Sequence, residues 1–228
     1  MNNILKIGHR GACGYEPENT LISFQKAIEL NVDMVELDVH LSINNDIIVM
    51  HDETVNRTTN GTGYVKQQTL SELRQLSAGK GEKIPTLEQT LNLINKRVKL
   101  NIELKGLNTA KPTTELIMKY VKQNNWKYQD FLVSSFNANE LLEFFKILPQ
   151  INIGVIYNKV PNDYIKLAQK LNAYSINLSQ EFITQKLIDD IHNHGLKVLV
   201  YTVNHNEDIK KIKSMGIDGI FSDYPDRL

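Results

Sequence analysis

Short apolar runs alternate with amphipathic helix patterns along most of this chain, and this order constrains the fold more than any other feature. Predicted strands cover residues 4–8, 33–41, 47–50, 99–105, 131–135, 152–157, 174–178, 197–203 and 219–222. Predicted helices between core strands cover residues 20–30, 113–123, 137–148, 162–171, 184–194 and 207–215. Repeated strand–helix units in 228 residues predict a TIM (β/α)8 barrel, with a doubly wound open sheet as the alternative.

One strand breaks this alternation. The run at residues 47–50 follows the preceding strand too closely for a helix to intervene. The sequence at 44–46 favours a turn, so these two strands are predicted to form an antiparallel hairpin. A turn centred on its first two residues places Asp38 opposite His51. The hairpin would therefore return a histidine to the barrel mouth, where active sites of this fold lie.

A polar insertion is predicted after the hairpin, at about residues 52–97. It holds a short helix pattern at 70–76 and a longer one at 86–95, and an insertion in this place can act as a lid or substrate wall. The chain ends six residues after Ser222, so the eighth barrel helix is expected to be short or absent. We expect a single TIM-barrel domain over residues 1–228.

Composition narrows the possible partners and the compartment. Lys plus Arg and Asp plus Glu number 26 each, and this zero net charge argues against a nucleic-acid partner. No signal stretch and no apolar run of transmembrane length is present, so no membrane insertion is expected. The single cysteine, Cys13, excludes an internal disulfide. These features predict a cytoplasmic protein, and they fit a monomer or a homodimer equally.

Three carboxylates interrupt apolar strand sequences. Glu36 and Asp38 point to the same face of one predicted strand, and Glu103 lies in the next core strand. The first two alone fit a salt-bridged barrel interior as well as a metal site. Three inward carboxylates at one rim repel one another unless a cation lies among them. Oxygen ligands favour a hard divalent ion, Ca²⁺ or Mg²⁺, and the sequence does not choose between the two.

Two histidines close predicted strands near these carboxylates. His9 and His51 could be satisfied core residues, but their positions at strand ends favour a catalytic acid and base. The remaining histidines are expected at the surface: His40, His192, His194 and His205.

Cationic side chains flank the same region. Lys105 lies two residues from Glu103 and could simply neutralise it. Together with Arg10, it also provides the positive charge that a phosphate ester requires. Cys13 lies close to His9 in sequence, but no third member of a Cys–His nucleophile system is evident.

The chain resembles the glycerophosphodiester phosphodiesterases in motifs that run in order along nearly its whole length. The matching segments are Gly8-His9-Arg10-Gly11, Pro17-Glu18-Asn19-Thr20, Glu36-Leu37-Asp38-Val39, His51-Asp52, Thr59-Asn60-Gly61-Thr62-Gly63, Ile84-Pro85-Thr86-Leu87, Asn101-Ile102-Glu103-Leu104-Lys105, Ser134-Ser135-Phe136, Tyr201-Thr202-Val203-Asn204, Gly216-Ile217-Asp218-Gly219-Ile220 and Asp223-Tyr224-Pro225. Tyr201 stands where the family usually has Trp, at the expected wall of the glycerol pocket.

This resemblance implies a TIM barrel with a small insertion and a defined set of site residues. Glu36, Asp38 and Glu103 would bind one divalent cation, Ca²⁺ or Mg²⁺. His9 and His51 would be the general acid and base, in an order that the sequence does not decide.

The resemblance also implies a substrate. Arg10 and Lys105 would hold the phosphate of a small glycerophosphodiester, while Glu18 and Asn19 would organise the loop after the first strand. The products would be sn-glycerol 3-phosphate and an alcohol, with water or the glycerol 2-hydroxyl as nucleophile. The sequence does not indicate which alcohol is released. The alternatives are a lysophospholipase D or sphingomyelinase D-like enzyme, which would need an apolar entrance, and a non-catalytic phosphate-binding protein.

Overall fold

The computed structural model describes residues 4–228, so the first three residues of the expected domain lie outside the described residues. The strands are β1 Leu5–Gly8, β2 Met34–Leu41, β3 Ile47–Val49, β4 Lys99–Leu104, β5 Phe131–Ser135, β6 Asn152–Tyr157, β7 Ser175–Ser179, β8 Lys197–Tyr201 and β9 Gly219–Ser222. The α-helices are α1 Leu21–Glu29, α2 Leu70–Gln75, α3 Leu87–Ile94, α4 Ala110–Gln123, α5 Ala138–Ile147, α6 Tyr164–Lys170, α7 Gln185–Asn193 and α8 Asn206–Ser214.

Eight of these strands form a closed parallel barrel. β1 pairs in parallel with β2 on one side and with β9 on the other, and this last pairing closes the sheet. The TIM-barrel prediction is therefore confirmed, and the open-sheet alternative is wrong. A 3-10 turn at Pro225–Arg227 follows β9 where an eighth barrel helix would stand.

The hairpin of β2 and β3 forms as predicted, but its register differs by one residue. The Met50 N–H donates to the Asp38 carbonyl at 3.0 Å, so Asp38 lies opposite Met50 rather than His51. The connecting loop is three residues long, 43–45, and Asn45 adopts a left-handed φ of 65°. Such loops shift the register relative to the two-residue turn that the prediction assumed. His51 therefore starts the loop beyond the strand pair.

Two helices next to the site begin at side-chain caps. Thr20 caps α1 by accepting from the Ser23 N–H, and Thr86 forms a reciprocal capping box with Gln89 at the start of α3. α3 packs beside α1 against the barrel strands, and its Leu87 and Leu91 are fully buried. Among the described residues, no helix combines the length and apolar character needed to cross a bilayer.

Apolar side chains fill three separate regions. The largest lies between the strands and the surrounding helices. A second lies between the hairpin and the insertion, around Ile48, Val55 and Leu73. The third fills the lower barrel interior with Ile7, Met34, Leu132, Leu199 and Phe221. This packed interior closes the bottom of the barrel. Polar residues nearer the carboxyl ends of the same strands therefore face an open cavity at the top.

Candidate active site

The carboxyl ends of the barrel strands surround a cavity of about 440 Å³. Of the seven predicted site residues, six line it: His9, Arg10, Glu36, His51, Glu103 and Lys105. The seventh, Asp38, is buried beside them. This convergence follows from parallel pairing, because β2 and β4 align Asp38 with Glu103 and Glu36 with Asn101.

The three predicted ligand carboxylates form one buried cluster. Glu36, Asp38 and Glu103 each offer an oxygen, and these oxygens lie within 4.8 Å of one another. The Arg10 backbone N–H donates to Glu36 Oε2 at 2.8 Å, and Asn19 Nδ2 donates to Asp38 Oδ2 at 2.9 Å. These hydrogen bonds fix the carboxylates in place and leave other oxygen lone pairs available to a cation.

The electrostatics of this cluster match a cation site. Burial, together with the charges of Asp38 and Glu103, raises the pKa of Glu36 well above its ordinary value. Burial and the charge of Asp38 raise the pKa of Glu103 to about 7. Carboxyls in such surroundings resist ionisation unless positive charge is added. The all-oxygen donor set fits Ca²⁺ or Mg²⁺, so the residues present suit the group that the sequence implies.

Two side-chain cations already contact the cluster without neutralising it. Lys105 Nζ lies 2.9 Å from Glu103 Oε1 and 3.9 Å from Asp38 Oδ1. Arg10 Nη1 is paired with Glu18 Oε1 at 2.8 Å, whereas its Nε lies 3.6 Å from Asp38 Oδ2. The Nε atom is buried and makes no hydrogen bond. Arg10 therefore retains a donor at the edge of the carboxylate cluster.

Each predicted catalytic histidine is held through Nδ1 by an aspartate. His9 Nδ1 lies 2.7 Å from Asp223 Oδ1, and His51 Nδ1 lies 2.6 Å from Asp52 Oδ1. A carboxylate only accepts hydrogen bonds, so Nδ1 carries the proton and Nε2 is left for proton transfer. Burial lowers the pKa of His51, against the opposing effects of Asp38 and Asp52.

The two orienting aspartates have different partners. Asp223 accepts from Cys13 Sγ at 2.9 Å and from Asn204 Nδ2 at 2.6 Å. Burial alone would raise the pKa of Asp223, but the hydrogen bonds from His9, Cys13 and Asn204 lower it to about 2. Burial and the Asp223 charge raise the pKa of the Cys13 thiol, which stays protonated and donates to Asp223. This geometry does not support Cys13 as a nucleophile.

Asp52 instead accepts from an arginine. Arg57 Nε donates to Asp52 Oδ2 at 2.7 Å, and this hydrogen bond is the main cause of the lowered pKa of Asp52. Sequence reasoning assigned no role to Asp52, Arg57 or Asp223. Asp52 follows His51 directly, which was an available signal. Asp223 lies 214 positions from His9, and only barrel closure brings them together.

One histidine prediction is wrong. His40 is buried rather than exposed, because β2 lies between β3 and β4 and Gly106 packs against the His40 ring; its Nε2 lies 3.0 Å from the His51 carbonyl oxygen. Burial lowers the pKa of His40. His192, His194 and His205 are exposed as expected.

Aromatic and aliphatic side chains form the opposite wall of the cavity. Phe136, Ile156 and Tyr201 line it, with Phe136 and Tyr201 in edge-to-face contact at 6.1 Å between ring centroids. The Tyr201 hydroxyl donates to the Tyr157 carbonyl at 2.9 Å. The cavity thus combines a charged half with a half suited to carbon and hydroxyl groups.

Known proteins are similar to this chain in both sequence and fold. The sequence model of the glycerophosphoryl diester phosphodiesterase family matches residues 9–227. A glycerophosphodiester phosphodiesterase from Caldanaerobacter subterraneus is 37% identical, with 98% of this chain and 96% of that protein covered. One from Bacillus altitudinis is 35% identical, with 96% and 94% covered.

A solved structure agrees. A phosphodiesterase from Oleispira antarctica, in complex with the product sn-glycerol-3-phosphate, superposes with a TM-score of 0.90 at 34% identity. The alignment covers 97% of this chain and 93% of the Oleispira protein. The sequence match over almost the whole chain and the shared barrel lead to one conclusion. This chain belongs to the glycerophosphoryl diester phosphodiesterase family.

Proposed function

We propose that this protein hydrolyses glycerophosphodiesters to sn-glycerol 3-phosphate and an alcohol. The observation that carries the proposal is a single cavity in which two aspartate-held histidines face a buried carboxylate cluster and two cations. The Oleispira phosphodiesterase, whose fold this chain shares, binds sn-glycerol-3-phosphate as product. A phosphodiester needs positive charge around phosphorus and a proton donor for its leaving group, and this cavity offers both.

The charged half of the cavity would bind the phosphate. Glu36, Asp38 and Glu103 would hold Ca²⁺ or Mg²⁺, which when bound supplies charge stabilisation at the phosphoryl oxygens. Arg10 and Lys105 would orient those oxygens through charge-assisted hydrogen bonds. The apolar wall at Phe136 and Tyr201 would contact the carbon skeleton, which limits water around the reacting group.

The histidines would divide the proton transfers. The lowered pKa of His51 keeps its Nε2 unprotonated near neutral pH, which suits a general base that takes the proton from the nucleophile. His9 would enter the step as an imidazolium, with its Nδ1–H held by Asp223, and would give its Nε2 proton to the leaving alkoxide. The nucleophile would be either water or the glycerol 2-hydroxyl. Attack by the 2-hydroxyl would release the alcohol and form a cyclic phosphate, which water would open in a second step.

The test is release of glycerol 3-phosphate from glycerophosphocholine by the purified protein after chelation, and again with Ca²⁺ or Mg²⁺ restored. Release that requires the ion is expected. Phosphorus NMR during the reaction would distinguish the nucleophiles, because only attack by the 2-hydroxyl produces a cyclic phosphate. Glycerophosphoethanolamine and glycerophosphoglycerol test which alcohol is released, and micellar lysophosphatidylcholine tests the lysophospholipase D alternative, because it keeps choline and adds an acyl chain. An absence of turnover on every one of these esters would contradict the proposal.

A further inference from the structure

Arg57 lies in the insertion and makes forked contacts with two carboxylates at once. Its Nε and Nη2 donate to Asp52 Oδ2 and Oδ1 at 2.7 and 2.9 Å. Its Nη1 and Nη2 donate to Glu18 Oε2 and Oε1 at 2.7 and 2.9 Å. Every nitrogen of the guanidinium is therefore used, and this planar geometry is one that lysine cannot reproduce.

Both carboxylates also hold a predicted site residue. Asp52 Oδ1 accepts from His51 Nδ1 at 2.6 Å, and Glu18 Oε1 accepts from Arg10 Nη1 at 2.8 Å. A continuous chain of hydrogen bonds thus runs from a catalytic histidine candidate to a phosphate-binding candidate. Arg57 is its central member and contacts neither the histidine nor the other arginine directly.

We propose that Arg57 is a positioning residue for the phosphodiesterase reaction, acting on His51 through Asp52 and on Arg10 through Glu18. The inference rests on the proposed function. It extends that function by adding a residue of the insertion to the catalytic arrangement. The insertion would then contribute to turnover even though the proposed catalytic groups lie at the barrel strand ends or at the hairpin exit.

Arg57 restricts the rotation of the Asp52 carboxylate. With both oxygens of Asp52 bound by Arg57, its carboxylate cannot turn about the bond to its β-carbon without breaking a hydrogen bond. The imidazole of His51 is held against one of those oxygens, so its ring orientation and tautomer are held too. Without Arg57, Asp52 would be free to rotate and His51 would sample orientations that do not reach the substrate.

Arg57 also determines the net charge next to His51. Arg57 offsets the negative charge of Asp52, and its removal would leave that charge acting on the imidazole alone. The other charged groups that affect His51 are Asp38, Arg10 and Lys105, and the buried His40 contacts its carbonyl oxygen. A change at Arg57 reaches Arg10 only through Glu18 and leaves the charges of Asp38, Arg10 and Lys105 in place, so the unopposed charge of Asp52 is expected to raise the pKa of His51.

A purely structural role is the competing explanation, and the chain provides a matched control for it. Lys80 also joins the insertion to the loop after β1, through Glu16 Oε2 and the Tyr15 carbonyl, both at 2.8 Å. It contacts no residue of the proposed site. Lys80→Ala therefore removes a polar contact between the insertion and the loop after β1. It leaves the chain of hydrogen bonds to His51 intact.

The experiment compares Arg57→Ala, Arg57→Lys and Lys80→Ala with the wild type, using kcat, KM, pH profiles and thermal melting. For Arg57→Ala, kcat is expected to fall by about 10- to 100-fold, the scale typical of residues that orient a site side chain. The acidic limb of its pH profile should move to higher pH. Arg57→Lys keeps the positive charge but cannot bind both carboxylates at two points each. The acidic limb of its pH profile should therefore stay at the wild-type pH, while its kcat should still fall several-fold. Lys80→Ala should match the wild type.

Nitrogen-15 NMR titration of the His51 ring supplies a readout that does not need turnover. Arg57→Ala should raise the His51 pKa and mix its tautomers, whereas Lys80→Ala should leave both unchanged. Wild-type kinetics and an unshifted His51 titration in Arg57→Ala would overturn the inference. If Arg57→Ala does not fold, wild-type kcat in Arg57→Lys would overturn it. A wild-type protein inactive on all glycerophosphodiesters would refute the proposed function alone, because the titration still tests the positioning role.

Discussion

Individual side chains at the barrel mouth acquire their chemical character from their neighbours. At His9 and His51, Nδ1 is hydrogen-bonded to an aspartate, and Nε2 is left for proton transfer. A carboxylate among other buried carboxylates resists ionisation, as at Glu36 and Glu103. Substitutions of single residues therefore test the acid–base and cation-binding proposals most directly.

Replacing either histidine by alanine should separate catalysis from cation binding. His9→Ala and His51→Ala are each expected to lower kcat by about 100- to 10,000-fold, because each removes a proton-transfer group. The carboxylates stay intact, so stabilisation of the fold by added Ca²⁺ or Mg²⁺ should persist in thermal melts. Near-normal turnover in His51→Ala would show that the acid–base assignment is wrong.

Glu103 should make the ion-free protein less stable as the pH rises. Its pKa is about 7 in the fold against an ordinary 4.5, so the stability it contributes is present below pH 4.5 and lost as the pH rises through 7. Glu103→Gln removes this group, and its melting temperature should therefore exceed that of the ion-free wild type increasingly over that window. The gain should be about 2–4 °C per kcal/mol of relieved repulsion.

The same variant should lose most of the stabilisation that a divalent cation provides. Calorimetric melts at pH 5 and pH 7.5, with chelator and then with added ion, would measure both effects. Equal melting temperatures of wild type and Glu103→Gln at pH 7.5 without ion would contradict the repulsion argument.

At the scale of elements, the hairpin determines where His51 stands. Its three-residue loop shifts the strand register by one residue relative to a two-residue turn. The strand pairing therefore ends at Met50, and His51 follows directly. The loop depends on the left-handed conformation of Asn45, which asparagine tolerates better than most residues. A change in this small loop thus bears on the placement of a proposed catalytic residue.

Asn45→Ala should destabilise the protein by about 1 kcal/mol, because an alanine is strained at this positive φ. Asn45→Gly should be close to neutral, since glycine adopts the conformation freely. Urea unfolding of the two variants, with Asn44→Ala as the neighbouring control, measures the difference. Equal losses in Asn45→Ala and Asn45→Gly would mean that the asparagine side chain, not its backbone, supports the loop.

Across the whole molecule, the closed barrel and its packed interior support the site from below. The interior cluster around Leu199 and Phe221 prevents the strands from collapsing inward, and β1 pairs with β9 to complete the ring. The proposed site residues lie on or directly after β1, β2, β3 and β4, so their relative positions depend on the pairing of these strands rather than on any single element.

Leu199→Ala should therefore weaken the entire fold. A fully buried leucine exchanged for alanine costs about 2–5 kcal/mol. For a chain of this size, the melting temperature should drop by roughly 5–15 °C. The folded fraction should keep its activity, because the side chain does not line the cavity. A loss of kcat well below the melting temperature would show that the interior packing also tunes the site.

The sequence by itself determined the features that arise from local patterns. Alternating apolar periodicity defines strands and helices, and charged residues inside apolar strands stand out, so the barrel and residues such as Glu36 and Glu103 were predictable. The start of α3 was also predictable, because Pro85 and Thr86 mark a helix N-terminus.

Only the tertiary structure decided which distant residues meet. Asp223 reaches His9 because the first and last strands pair, and Arg57 reaches Glu18 because the insertion folds back over the loop after β1. His40 meets the His51 carbonyl because the hairpin returns the chain past β2, through a loop with one residue in a left-handed conformation. Such contacts arise from chain closure and side-chain hydrogen bonding between elements, and these leave no periodic trace in the sequence.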